Sequence, residues 1–198
     1  MIRVQKLVAA TGNPGKLREF RELLAGSGVE IVSAADAGWT GEVVEDGDTL
    51  RENAGKKARE IAAATGMTAL ADDTGLFVDA LDGAPGVHSA RYAGPECDAA
   101  ANCARLLQDL ESVPDEARTA AFRCVIALVT PGEEPVFLEG ECRGRIVAAS
   151  RGDGGFGYDS LFAAQGSDFT FAEMGPDEKN RLSHRGKALA RLAEYLET

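Results

Sequence analysis

Leu7-Val8-Ala9-Ala10-Thr11-Gly12-Asn13-Pro14-Gly15-Lys16-Leu17-Arg18-Glu19 joins an apolar run to the start of a helical pattern. The apolar run reads as a buried strand over 3–10. Phe20, Leu23 and Leu24 then recur on one face and give a helix over 15–26. The turn between them has the makings of an anion site. Gly12 and Gly15 permit a sharp bend and close backbone approach, and Asn13 tolerates a left-handed conformation. Pro14 starts a helix well. Lys16 lies where free N–H groups at a helix N-terminus favour negative charge. A plain strand-to-helix connection is the alternative. The segment is not a Walker A loop, which has four residues between its glycines and Ser or Thr after the lysine. Here Gly12 and Gly15 are separated by Asn13 and Pro14, and Leu17 follows Lys16.

Working outward, Val29 to Ala34 read as a second strand, and an acidic, Gly-containing loop follows over 36–48. Thr49 and Glu52 form a capping-box pattern that opens a helix to about Ala64. Thr68 to Ala71 form a short strand leading into Asp72-Asp73-Thr74-Gly75. Residues 81–97 read as loop, and Asp98 caps a helix through Leu110. The period then changes: Ala120 to Thr130 and Glu134 to Ile146 are long strands joined by a hairpin at Pro131-Gly132-Glu133. A last helix, beginning near Glu178 or Ser183, carries Leu182, Leu189, Leu192 and Leu196 at helical spacing. Strand–helix alternation followed by a hairpin predicts a mixed α/β sheet.

At 198 residues the chain suits one domain, or one domain with two lobes. No run approaches the roughly 18–20 apolar residues of a membrane helix, and Met1 to Lys6 contain no signal-peptide core. The expected location is therefore the cytoplasm, with no membrane partner. A net charge of −11, with Lys56-Lys57 the longest basic run, argues against a nucleic-acid-binding module. A small polyanion is compatible with it. Cys97, Cys103, Cys124 and Cys142 fit no zinc spacing, and Cys124 reads as core filler. With His88 and His184 the only histidines, a metal would be a hard cation on carboxylates, magnesium or manganese.

Four groups of residues could carry chemistry. Asp72-Asp73-Thr74-Gly75 ends a strand, where α/β proteins gather active groups. Adjacent carboxylates need a cation or hydrogen bonds to coexist, and a polar turn bent at Gly75 is the alternative. Glu45 precedes a helix on which Asn53 and Lys57 share a face; an ordinary solvated face is the other reading. Phe156, Gly157, Tyr158 and Asp159 end a Gly-rich loop whose aromatics either stack on a flat base or anchor in the core. Lys179, His184 and Arg185 offer donors for phosphate or a base carbonyl, or are simply exposed, since His184 and Arg185 lie off the leucine stripe.

In this order these segments resemble the inosine triphosphate pyrophosphatase family, also called XTP/dITP diphosphatase. The resemblance adds Gly83-Ala84-Pro85-Gly86 and Ser89 to Gly94 and spans residues 11–186. It implies an α/β fold, mixed, with an elongated central sheet flanked by helices. It also implies two lobes with the active-site cleft between them, residues 1–198 forming one two-lobed domain. It implies magnesium-dependent hydrolysis of ITP, dITP and XTP to the nucleoside monophosphate and pyrophosphate by a homodimer. By the same resemblance, Thr11, Gly12, Asn13, Pro14, Gly15 and Lys16 bind the triphosphate, and Asn53, Lys57 and Thr74 also bind substrate. Asp73 is the general base and a metal ligand, Glu45 a second ligand, and Asp72 a further candidate. Phe156, Gly157, Tyr158, Asp159, Lys179, His184 and Arg185 surround the nucleotide, mostly its base. Thr74 stands where the family usually has Ser, and His88 where Tyr is common. A Maf-like pyrophosphatase acting on modified pyrimidine nucleotides and a non-catalytic nucleotide-binding regulator are the competing functions.

Overall fold

The computed structural model describes residues 5–197. In chain order it contains β1 (Lys6–Ala9), α1 (Pro14–Leu24), β2 (Glu30–Ser33), α2 (Leu50–Thr65), β3 (Ala69–Val78) and β4 (Pro85–Gly86). These are followed by α3 (Ala99–Asp109), β5 (Thr119–Val129), β6 (Val136–Ile146), β7 (Phe162–Ala164), α4 (Pro176–Leu182) and α5 (His184–Glu197). Of the strand expected over 3–10, residues 3 and 4 lie outside the described part.

The strand order is β2-β1-β3-β5-β6-β7, with β4 beside β3. β1 runs parallel to β2 and β3, as α1 and α2 crossovers require. β4 on β3 and β7 on β6 are antiparallel, so the sheet is mixed as expected. The local signals behave as written. Thr49 Oγ1 accepts the Glu52 N–H and Glu52 Oε2 accepts the Thr49 N–H, both at 3.1 Å. Asp98 Oδ1 caps α3 through the N–H groups of Ala100 and Ala101.

The chain divides into two compact units. One comprises the chain up to Asp73, Cys124–Gly140 and the part from Arg185 onward. Its core includes Leu7, Phe20, Leu24, Leu70, Ile126, Leu189 and Leu192, all fully buried. The other comprises Thr74–Arg123 and Glu141–His184. Its core is centred on Leu76, Leu106, Phe122, Phe162 and Phe171, with Tyr158 among them.

The strand expected over Thr68 to Ala71 is longer: β3 runs on through Asp72-Asp73-Thr74-Gly75 for ten residues in all, and the polar-turn alternative fails. Carboxylates are poor strand formers when their charge is uncompensated, but here each is met by cations. Gly75 serves close approach, not a bend, because a Cβ there would sit 2.5 Å from the Gly86 carbonyl oxygen. Of the two starts expected for the last helix, the one at Ser183 is borne out, and a separate short helix, α4, precedes it. Ser183 is extended (φ −68°, ψ 155°) and separates α4 from α5, so His184 and Arg185 open a new helix. The short β7 went unanticipated.

Candidate functional site

In the first unit, the pleat of β3 sends Asp72 and Asp73 to opposite faces, and each has its own set of partners. Asp72 is 1% exposed. Its Oδ2 accepts from Arg185 Nε at 3.1 Å and Nη2 at 3.0 Å, and lies 3.0 Å from Lys16 Nζ. Arg185 Nη1 donates to Glu19 Oε2 at 2.6 Å. Burial alone would raise the Asp72 carboxyl, but Lys16, Arg185 and Lys57 outweigh it and hold it well below the ordinary carboxylate value.

Asp73 has the opposite character. Its Oδ2 accepts from Asn53 Nδ2 at 3.1 Å, and its Oδ1 lies 3.5 Å from Lys57 Nζ, which is also 3.1 Å from Glu45 Oε1. Burial, reinforced by Glu45 and Asp72 and opposed by Lys57 and Lys16, pushes its pKa up to about 6. Lys57 is itself raised, although burial works against it, because Asp73, Asp72 and Glu45 all act on it. An isolated ion pair would lower the acid as it raised the base. Here burial and the repulsion of Glu45 and Asp72 outweigh the attraction of Lys57 and Lys16 at Asp73, while three carboxylates together raise Lys57.

α2 sets this geometry. Its capping box fixes the chain at Thr49, and Glu52 Oε2 also accepts the Asp48 N–H at 2.9 Å. One turn in, Asn53 Oδ1 accepts the Gly47 N–H at 2.8 Å while its amide reaches Asp73. Asn53 therefore ties the acidic loop to Asp73. The solvated-face alternative fails for Asn53 and Lys57, which are buried. Gly47 is required, since a Cβ would meet Asn53 Oδ1 at 2.8 Å.

The turn at 11–16 differs from expectation in detail. Asn13 is extended (φ −85°, ψ 116°), and neither Gly12 nor Gly15 has positive φ. Asn13 Oδ1 accepts the N–H groups of Gly15 and Lys16 at 2.8 and 3.2 Å. Thr11 Oγ1 accepts that of Asn13 at 3.1 Å. The helix N–H groups expected for an anion are thus already capped, and the strongest positive feature of the turn is the Lys16 ammonium.

In the second unit, Asp159 Oδ2 accepts the Phe156 N–H at 2.8 Å and the Lys179 ammonium at 2.9 Å. Lys179 Nζ also lies 4.7 Å from the centre of the half-buried Phe156 ring. Gly155 (φ +73°) makes this possible, because a Cβ would strike Asp159 Oδ2. Gly157 also has positive φ, at 61°. Thr74 is half-buried. The two aromatics of this loop part company. Tyr158 is a core residue whose hydroxyl donates to the Ser89 carbonyl at 2.8 Å, so it anchors the loop. His184 is 3% exposed and stacks on Phe122 at 4.6 Å between ring centres. Arg185 is equally buried, so the simple-exposure alternative fails for both. Sequence reasoning missed Glu19 and Gly47. The spacing of Glu19 three residues after Lys16, on the same face of α1, was the available signal.

A family model described as the Ham1 family matches residues 7–195, a span that contains all of these residues. The chain belongs to the Ham1 family. This Ham1 chain is 53% identical over 191 residues to a dITP/XTP pyrophosphatase of Geobacter sulfurreducens, with 96% of each covered. It is 46% identical over 197 residues to a dITP/XTP pyrophosphatase of Bacillus subtilis, with 100% of each covered. The structure of a HAM1 protein from Coxiella burnetii superposes with a TM-score of 0.88 at 41% identity, covering 97% of this chain and 98% of that one. The Ham1 fold is thus the mixed α/β architecture described above.

Proposed function

We propose that the chain hydrolyses the non-standard purine nucleoside triphosphates dITP, ITP and XTP to the nucleoside monophosphate and pyrophosphate. The observation that carries this is Asp73: a buried carboxylate with its pKa near 6, held by Asn53 and Lys57, in a Ham1 chain whose curated relatives are named dITP/XTP pyrophosphatases. A base tuned near the working pH suits proton removal from water. The water oxygen bonds to the α-phosphorus, its proton passes to Asp73, and the bond from the α-phosphorus to the bridging oxygen breaks. The electron pair leaves with pyrophosphate. Lys16 and Lys57 offset the charge of the phosphates, and charge stabilisation of this kind is usually the largest catalytic term.

Magnesium fits the donor set. Glu45 and Asp73 are hard oxygen donors that converge on one cation, Lys57 Nζ. Among the described residues no group of three or more His, Cys, Asp or Glu could form a full protein cage. Magnesium is commonly held by one or two carboxylates together with substrate phosphates. Glu45 and Asp73 would hold it here, and when bound it would supply charge neutralisation at the phosphates.

For the base, Phe156 and Lys179, held together within the second unit, are the candidates. A purine carbonyl at C6 accepts a hydrogen bond from a donor such as Lys179, whereas the adenine amine leaves that donor unpaired, at a cost of about 1–3 kcal/mol. A homodimer in the cytoplasm, where the nucleotide pool lies, completes the proposal. The test is pyrophosphate release from dITP with and without magnesium, in wild type and Asp73→Asn. Magnesium-dependent release that falls at least about 10²-fold in the variant is expected. Near-wild-type turnover in the variant rejects Asp73 as the base, and no release from dITP at all favours a non-catalytic binder.

A further inference from the structure

We propose that Ser89 is a positioning residue: through its hydroxyl and its carbonyl it ties the loop that carries Phe156 to β3 and β4, and so sets how tightly the base is held. The proposal rests on reading Phe156 and Lys179 as the base site. The brace is built from two segments, Gly83-Ala84-Pro85-Gly86 and Ser89 to Gly94, for which the reaction itself supplies no role. Leu76 of β3 lies opposite Gly86 of β4. The buried Ser89 hydroxyl accepts the Leu76 N–H at 2.8 Å and donates to the Gly86 carbonyl at 2.6 Å. It thus uses its acceptor and donor capacity together and bridges the two strands. The carbonyl of the same residue accepts the Tyr158 hydroxyl at 2.8 Å. β3, β4 and the loop therefore meet at one residue, all within the second unit.

Ser89 is itself held in place. The buried Asn102 of α3 donates from Nδ2 to the Ala90 carbonyl at 2.8 Å, and its Oδ1 accepts the Ala93 N–H at 2.6 Å. The backbone that follows Ser89 is therefore clamped to a helix. The loop needs such a fixed point. Phe156 stands between Gly155 and Gly157, both at positive φ, where the chain has the most conformational freedom. Two anchors follow it directly. Asp159 takes the Phe156 N–H and the Lys179 ammonium, and Tyr158 takes Ser89. Packing buries the Tyr158 ring among apolar neighbours without help from its hydroxyl. What the bond to Ser89 adds is a fixed direction for that ring, since a hydrogen bond weakens steeply when it is misaligned. A loop already ordered has less freedom to lose when a base binds. Loss of that order should therefore fall on base-dependent affinity and not on the phosphates.

A ligand with phosphates and no base separates the two effects. KM and kcat for ITP, inhibition by inorganic tripolyphosphate and the urea midpoint are compared for the full-length wild type, Tyr158→Phe, Ser89→Ala, the double variant and Phe156→Ala. Tyr158→Phe and Ser89→Ala are each expected to raise KM for ITP about fivefold, the factor that one hydrogen bond supplies, with kcat within about twofold of wild type. Tripolyphosphate inhibition is expected to stay unchanged in both. The double variant is expected within about twofold of the single variant with the higher KM, because both changes break one chain of contacts. Losses that multiply would show the two hydroxyls acting separately and would overturn the proposal. An unchanged KM in single variants whose urea midpoint falls would overturn it too, since Ser89 would then serve the fold alone. So would ITP and tripolyphosphate weakening together. An unchanged KM for ITP in Phe156→Ala overturns the base-site reading itself. Should Ser89→Ala not fold, Tyr158→Phe, which removes a single oxygen, decides alone by the same KM and tripolyphosphate readings.

Discussion

Asp73→Asn is expected to make the protein more stable while disabling it. The Asp73 carboxyl has a pKa of about 6 in the folded chain, against 3.8 when unperturbed. A raised carboxyl stabilises the fold fully below pH 3.8 and loses that contribution as the pH rises through 6. Ionised at pH 8, it costs about 3 kcal/mol relative to the neutral form; at pH 5, where the unfolded carboxyl is ionised and the folded one still mostly protonated, the cost is about half that. Asparagine has the same shape and stays neutral at every pH. Its advantage over wild type should therefore roughly double from pH 5 to pH 8. Lys57 opposes the effect, but burial and the charges of Glu45 and Asp72 outweigh it. Urea unfolding at the two pH values in metal-free buffer measures the difference, and pyrophosphate release measures the lost activity. An advantage that does not change with pH, or a variant less stable than wild type at pH 8, would refute the reasoning.

The neighbouring residue has the opposite sign. Asp72→Asn should destabilise the protein at pH 7 by about 3 kcal/mol, because Lys16 and Arg185 lose their shared carboxylate. Its depressed pKa gives stability that is present above pH 3.8 and lost as the pH falls below it, so urea midpoints of variant and wild type should converge in acid. Gly75→Ala should cost about 1–3 kcal/mol by thermal or urea unfolding, since the new methyl lies 2.5 Å from the Gly86 carbonyl oxygen and the collision is with backbone. Asp159→Asn should raise KM for ITP several-fold with a smaller change in kcat, because it weakens the contact that holds Lys179 and the Phe156 backbone. An unchanged KM would remove that loop from the base site.

Much of this was legible because it is local. The Thr49–Glu52 capping box, the Asp98 cap and the hairpin at Pro131-Gly132-Glu133 involve residues within a few positions of one another, and each appears where its pattern placed it. Lys57 and Asn53 share a face of α2, and that face meets Asp73. What stayed hidden depends on distant partners. Asp72-Asp73 looks like a turn until Arg185, 113 positions away, supplies the charge that lets β3 continue. Arg185 looks exposed on the leucine periodicity, but the extended Ser183 restarts the helix and turns the guanidinium onto Asp72 and onto Glu19, 166 positions away. Phe156 and Tyr158 are two residues apart in one loop, yet only the tertiary contact with Ser89 shows that Tyr158 is an anchor.

The central claim is tested most directly by kcat/KM for pyrophosphate release from ITP, XTP, dITP, ATP, UTP and dTTP under one set of magnesium-containing conditions. The account predicts that ITP, dITP and XTP exceed ATP by at least about tenfold, the factor that one unpaired donor supplies, and that UTP and dTTP are poor. Equal values for ITP and ATP, or a preference for the pyrimidines, would contradict it.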